Sequence, residues 1–217
     1  MAPSNPSFVG WTAILGGVVG LVSFVCLMLF FVVGNPFGTV NDILAPPAAL
    51  LALPLLLALY RLHAAEYPVV ALVALLAGMA GFVGAAVGSG ALALGQIDFV
   101  TSLSLGIGGF GLIGLWLLLT SGMGLLGGAL PKSLAWASLL LAITPTLALV
   151  AMFRADRVAA ALSGMAGQAA LPLSPLAYVF MALGAISYAA LPLWLIWVGR
   201  LFLSGRLGAP VVAAISR

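Results

Sequence analysis

Few side chains in this 217-residue chain could do chemistry, and their number and spacing narrow which chemistry that is. There is one histidine, His63, and one cysteine, Cys26. A zinc site needs three or four ligands of the His, Cys and carboxylate kinds, so this pair cannot build one. A haem held between two histidines of the chain is excluded by the same count. Cys26 lies alone in an apolar run and reads as a small buried hydrophobe. His63, beside Arg61 and Glu66, reads as a solvated loop residue.

Gly88-Ser89-Gly90 has the outline of the serine turn of intramembrane serine proteases, yet no histidine follows it to act as base. Gly127-Gly128 precedes Lys132-Ser133 at the wrong spacing for a phosphate-binding loop. Ion and proton pathways need acids, bases or amides at membrane depth, because such groups are costly in hydrocarbon. Here every Asp, Glu, Lys and Arg falls near an expected water boundary, and the deeper polar groups are hydroxyls such as Ser23, Ser104, Thr144, Ser187 and Tyr188. Coupled transport and voltage sensing are therefore disfavoured.

What remains is a set of polar residues expected on one outer face: Asp42, Asp98, Arg154, Asp156 and Arg157. Gathered together they would form an ion or headgroup site. Helix capping competes with that reading. Asn41 and Asp42 are natural helix starts, and Arg154 suits a helix C-terminus. No catalytic residue and no metal ligand set is expected.

The elements that would position these groups are membrane helices. The chain is 65% hydrophobic and 5% charged, with mean hydropathy +1.33, more apolar surface than a soluble core of this size could bury. Its formal charge of +3 comes from seven scattered basic residues, too few and too dispersed for nucleic acid. A span needs about 20 mainly apolar residues. Six stretches qualify, at about 11–33, 43–60, 68–94, 99–120, 133–153 and 175–198, giving a single all-α polytopic domain. The first, lacking an A-x-A-like exit, reads as a retained span rather than a signal peptide.

Asn35 to Arg61 organises the rest: a turn, a helix start at Asn41-Asp42, Pro46 and Pro47 in the first turn, and a kink near Pro54. The segment 121–131 would have to turn or re-enter the membrane, since carrying the fourth span through it gives a helix of about 48 Å. Residues 155–170 have a helical-wheel pattern that suits an interfacial helix, against which Gly164 and Gly167 count. Gly16, Gly20, Gly84, Gly88, Gly109 and Gly184 are the expected close-packing positions, since small residues let backbones approach.

Orientation follows from the positive-inside rule. With both termini cytoplasmic, Arg61, Lys132, Arg200, Arg206 and Arg217 lie inside, and only Arg154 and Arg157 outside. Trp11, Trp116, Trp136, Trp194 and Trp197 all fall toward the same cytoplasmic ends. A cut near Gly95 gives two three-span halves of opposite topology, with faintly similar Leu15-Gly16-Gly17 and Ile107-Gly108-Gly109. This suits a 3+3 inverted repeat, with chance similarity in a Leu/Ala/Gly-rich chain as the alternative.

NPFGTVND followed by ALPLLLALYRL, with LPLWLIWVGRLFL near the other end, resembles a loose family of uncharacterised bacterial integral membrane proteins of about six spans. The resemblance covers about a quarter of the chain; it implies the topology above in the inner (cytoplasmic) membrane, and no activity. Three functions stay open. The first is a non-catalytic accessory or scaffold protein that packs against membrane lipid, a homo-oligomeric or larger membrane partner, or an apolar ligand such as lipid, quinone or carotenoid. The second is a small transporter or channel for a neutral or amphiphilic solute. The third is a lipid-modifying intramembrane enzyme. Nucleic acid is not an expected partner, and no cofactor is identifiable.

Overall fold

The computed structural model describes residues 5–152 and 175–207, and among them every regular element is a helix. These are α1 (Pro6–Val33), α2 (Phe37–Leu51), α3 (Leu53–His63), α4 (Pro68–Ala93), α5 (Phe99–Gly127), α6 (Lys132–Met152) and α7 (Pro175–Leu203). α1, the α2–α3 pair (Phe37–His63), α4, α5 and the Ala182–Leu203 part of α7 are long and apolar enough to cross a membrane. α6 adds a shorter apolar stretch, Lys132–Leu147. The chain is thus a membrane-embedded helical bundle. Arg154, Asp156, Arg157 and the expected interfacial helix at 155–170 lie outside the described residues.

Around the bundle the neighbours run α1, α2, α4, α5, α6, α7 and back to α1. Apart from the buried Phe82, α4 sorts its side chains by size. On α4, Ala71, Ala74, Ala77, Gly78 and Gly81 face inward, while Val69, Leu72, Val73, Leu76, Val83 and Val87 are exposed. A soluble helix does the reverse. In lipid, large apolar groups lose nothing by facing out, and small ones let backbones meet.

Two of the seams are reciprocal glycine contacts. A methyl added at Gly109 would sit 2.7 Å from the Gly81 carbonyl oxygen, and one at Gly81 equally close to that of Gly109, so α4 and α5 touch backbone to backbone. Gly10 and Gly199 do the same for α1 and α7.

Several boundaries differ from the sequence reading, each for a local reason. α1 begins at Pro6, not near 11, because Asn5 caps it: the Asn5 Oδ1 accepts the Ser7 N–H at 3.1 Å, with proline at the first position. α2 begins at Phe37, directly after Pro36, so Asn41 and Asp42 are interior residues and cap nothing. Pro46 and Pro47 therefore also lie inside α2 rather than in its first turn. The expected break near Pro54 is present. Ala52 separates α2 from α3, since Pro54 has no N–H for the Leu50 carbonyl and its ring crowds it.

α5 was expected to stop near Thr120, with 121–131 turning or re-entering the membrane. It runs instead without interruption to Gly127, 29 residues or about 43 Å. The glycines of SGMGLLGG do not break it, because Gly124 packs against Leu130 and the Ser121 hydroxyl donates to the Leu117 carbonyl. The excess length is of the kind a tilted span absorbs.

The break at Ala52 lets α3 reach α1 and α5 as well as α4. Leu55, Leu56 and Leu59 are buried there with Leu117, Leu134 and Val198. Across this region Phe82 meets Trp116 edge-on at 5.7 Å, and Trp116 meets Trp194 edge-on at 5.6 Å. The Trp194 Nε1–H donates to Ser138 Oγ at 2.7 Å. Trp116 and Trp194 are therefore core residues, not interfacial anchors, while Trp11, Trp136 and Trp197 are exposed.

Gly109→Ala should cost about 1–3 kcal/mol by forcing α4 and α5 apart. Gly84→Ala, with no atom within 4 Å of the added methyl, should be neutral or stabilising by up to about 1 kcal/mol. Thermal unfolding of the two variants in one detergent checks this. Equal melting temperatures would show that the glycine seam is not a close contact.

Candidate functional site

The polar group that the fold assembles is not the one the sequence suggested. Asp42 is the sixth residue of α2, about 7 Å along the helix from Phe37. Asn41 beside it is buried and points at α1, where Ser23 is fully enclosed. The Ser23 hydroxyl donates to Asn41 Oδ1 at 2.8 Å, and Asn41 Nδ2 donates to Asp42 Oδ1 at 3.1 Å. Asn41 thus orients the carboxylate through its own amide.

Tyr188 of α7 completes the group. It packs against Phe24, the residue next to Ser23 on α1. Its ring is held between Phe24 of α1 at 6.0 Å and Phe110 of α5 at 5.8 Å, centroid to centroid. It stands near the midpoint of α7 (Pro175–Leu203). The expectation that Asn41 and Asp42 start the helix is corrected: Asp42 lies inside α2, hydrogen-bonded to the Asn41 amide. The error came from the helix start. Moving it to Phe37 carries Asp42 a turn and a half inward.

Asp98, the other described member of the expected cluster, does not join this group. It caps α5, accepting the Thr101 N–H on Oδ1 at 2.7 Å. That backbone hydrogen bond holds its carboxyl below the ordinary value of 3.8. Capping, the competing reading, describes Asp98 and not Asp42.

Of the six glycines singled out in the sequence, Gly16 faces Ala48 and Leu51, Gly20 faces Pro192, Gly88 faces Leu105, and Gly109 faces Gly81. Gly84 and Gly184 have no neighbour within 4 Å.

His63, read as a solvated loop residue, is instead the last residue of α3 and is buried, and its Nε2 has no hydrogen-bond partner among the described residues. Helix α3 runs on to it because the next proline, Pro68, belongs to α4, and the Glu66 and Tyr67 amides both close on the His63 carbonyl. Outside the spans, the hydrogen-bonded Glu66 carboxylate pushes the Tyr67 phenol up.

Other inward hydroxyls are engaged with backbone. Ser102 donates to the Gly88 carbonyl at 3.1 Å, Ser138 to Leu134 at 2.7 Å and Thr146 to Ala142 at 2.7 Å. Thr146 serves its own i−4 carbonyl, not the Leu141 carbonyl that Pro145 frees, and α6 stays continuous there. Among the described residues no three His, Cys, Asp or Glu side chains converge as metal ligands would.

Comparison with protein-family models, with curated proteins and with solved structures finds no match. The site has to be read from its own geometry. Sequence reasoning missed the Ser23–Asn41 pair and the Tyr188 contacts, since nothing in the spacing of Ser23, Phe24, Phe110 and Tyr188 joins the three helices that carry them.

The depressed Asp98 carboxyl fixes a sign for pH. Its contribution to α5 is fully present above 3.8 and is lost as pH falls through the lower folded value. In acid titration the Thr101 amide resonance should move with Asp98. Asp98→Asn should keep the cap and abolish that titration, and Asp98→Ala should fray the start of α5 at every pH. A Thr101 amide that does not respond to acid in the unaltered protein would remove the cap.

Proposed function

We propose that the protein is a non-catalytic membrane bundle that works as an accessory or scaffold subunit, holding a membrane partner or a lipid-like molecule against its outer faces. One observation carries this reading. Apart from the buried His63 Nε2, the inward polar side chains with described partners are committed to one another or to carbonyls of their own and neighbouring helices, from Ser23 with Asn41 to Trp194 with Ser138. A nucleophile or base needs an open hydrogen-bonding position toward substrate, and a group so committed does not offer one. The exposed faces of α1, α4 and α6 carry large apolar side chains such as Phe8, Val25, Leu76 and Leu140, the surface a neighbouring helix or acyl chain meets. Extraction of the full chain into native lipid discs, followed by native mass spectrometry, should show a retained partner or lipid-like molecule. A bare monomer with neither would overturn the reading.

A second reading, a small conduit for a neutral or amphiphilic solute, is favoured by the group at Ser23, Asn41, Asp42 and Tyr188. Proline at 46 and 47 leaves the carbonyls of Asp42 and Ile43 without their i+4 donors, as broken transporter helices do. The neighbour order also suits two inverted halves: α1 lies on α2 as α5 lies on α6, and α4 on α5 as α7 on α1. Against an exact repeat, Pro54 breaks its span while Pro145 leaves α6 continuous. If this reading holds, vesicles containing the protein should pass small neutral solutes, and Asp42→Asn should change the rate. Absence of flux across a broad solute panel would eliminate it.

A further inference from the structure

A shallow groove of about 520 Å³ runs along the end of α7 and over the turn that follows. Leu193 and Ile196 line one end, Trp197 the middle, and Arg200, Ser204 and Arg206 the other. Leu193, Trp197 and both arginines are exposed, so the groove opens on the face that meets lipid and then water. From Leu193 to Arg200 it climbs seven residues, about 10 Å, passing from purely apolar to cationic.

The basic end is built by the chain's own turn. Gly205 takes a left-handed conformation at φ 68°. The Arg206 N–H then donates to the Leu201 carbonyl at 3.0 Å and the Gly205 N–H to the Phe202 carbonyl at 3.1 Å. These paired bonds end the helix and fold the chain back over its last turn. Leu207, buried beyond it, anchors the fold-back. Arg206 is thereby set into the lining of the same groove as Arg200.

The acids among the described residues are engaged elsewhere. Asp42 pairs with Asn41, Asp98 caps Thr101, and Glu66 sits against Gly127 and Tyr67. The counter-anion suited to this place is one that arrives with an apolar tail. Guanidinium groups match a phosphate in charge and in the geometry of their paired N–H donors. Tryptophan is the residue that settles at headgroup level.

We propose that this groove binds one anionic phospholipid, its phosphodiester between Arg200 and Arg206 and an acyl chain along Ile196 and Leu193. The inference rests on the membrane setting of α7 and not on the scaffold reading above; either can fail alone.

The test uses the full chain in lipid discs that hold phosphatidylglycerol and phosphatidylcholine in equal amounts, one of the two brominated in each sample. Trp197 emission, taken as the difference between the unaltered protein and Trp197→Phe, should be quenched more strongly by brominated phosphatidylglycerol. The preference should fall about fivefold with Arg206→Gln and about thirtyfold with Arg200→Gln/Arg206→Gln, at the usual worth of a basic residue near an anionic surface. Arg61→Gln, at the end of α3 and outside the groove, should leave it unchanged. Equal quenching by the two lipids in the unaltered protein would overturn the proposal without any variant. So would a preference that survives the loss of both arginines. Arg206 lies past the end of α7, so its single variant remains readable if the double variant fails to insert.

Discussion

Hydrocarbon offers neither a hydrophobic drive between helices nor a partner for a backbone polar group, and this double constraint shapes every contact in the bundle. Attraction has to come from proximity. α4 shows the solution in one helix: Ala71, Ala74, Ala77, Gly78 and Gly81 inward, valines and leucines outward. Gly81 against Gly109 and Gly10 against Gly199 bring the backbones themselves together at the two seams where α4 meets α5 and α7 meets α1. Dispersion between many atoms at such range replaces the burial energy of a soluble core.

The same medium dictates what the polar side chains do. A hydroxyl in hydrocarbon takes the nearest carbonyl, commonly one turn back on its own helix, as Ser138 and Thr146 do. Where two helices are close it crosses instead, as Ser102 does to Gly88. Ser23 and Asn41 take the further step of meeting each other between α1 and α2, and the Asn41 amide in turn donates to Asp42. The aspartate accepts its hydrogen bond from a neighbouring amide.

Much of this architecture was legible in the sequence, and the misses share a cause. Hydropathy located the spans, and Pro54 marked its break, because both depend on properties of residues next to one another in the chain. Helix ends depend on what packs around them. SGMGLLGG was expected to turn because an unbroken helix would outrun the bilayer, yet Gly124 is held by Leu130 and the helix continues to Gly127. Asn41-Asp42 looked like a cap, but the chain starts its helix at the first residue after Pro36. His63 looked solvated among charged neighbours and is enclosed by a fold that no local pattern reveals. Convergences such as that of α1, α5 and α7 at Tyr188 have no signature in spacing at all.

The bundle is consequently uneven along its axis. Where α3 leans in, leucines and the Phe82–Trp116–Trp194 chain fill the middle, and the helices meet through rings and methyl groups. Toward the start of α2 the middle is Tyr188 with its two phenylalanines, a carboxylate and two amide or hydroxyl partners. Apolar contacts tolerate small displacements, whereas a buried hydrogen-bonded polar group does not, because leaving it unsatisfied costs more than a lost contact does. Any change of shape that preserves the fold therefore has to keep Ser23, Asn41 and Asp42 together, and must take up its movement at the break between α2 and α3, where Ala52 already separates a half fixed to α1 from a half packed into the core.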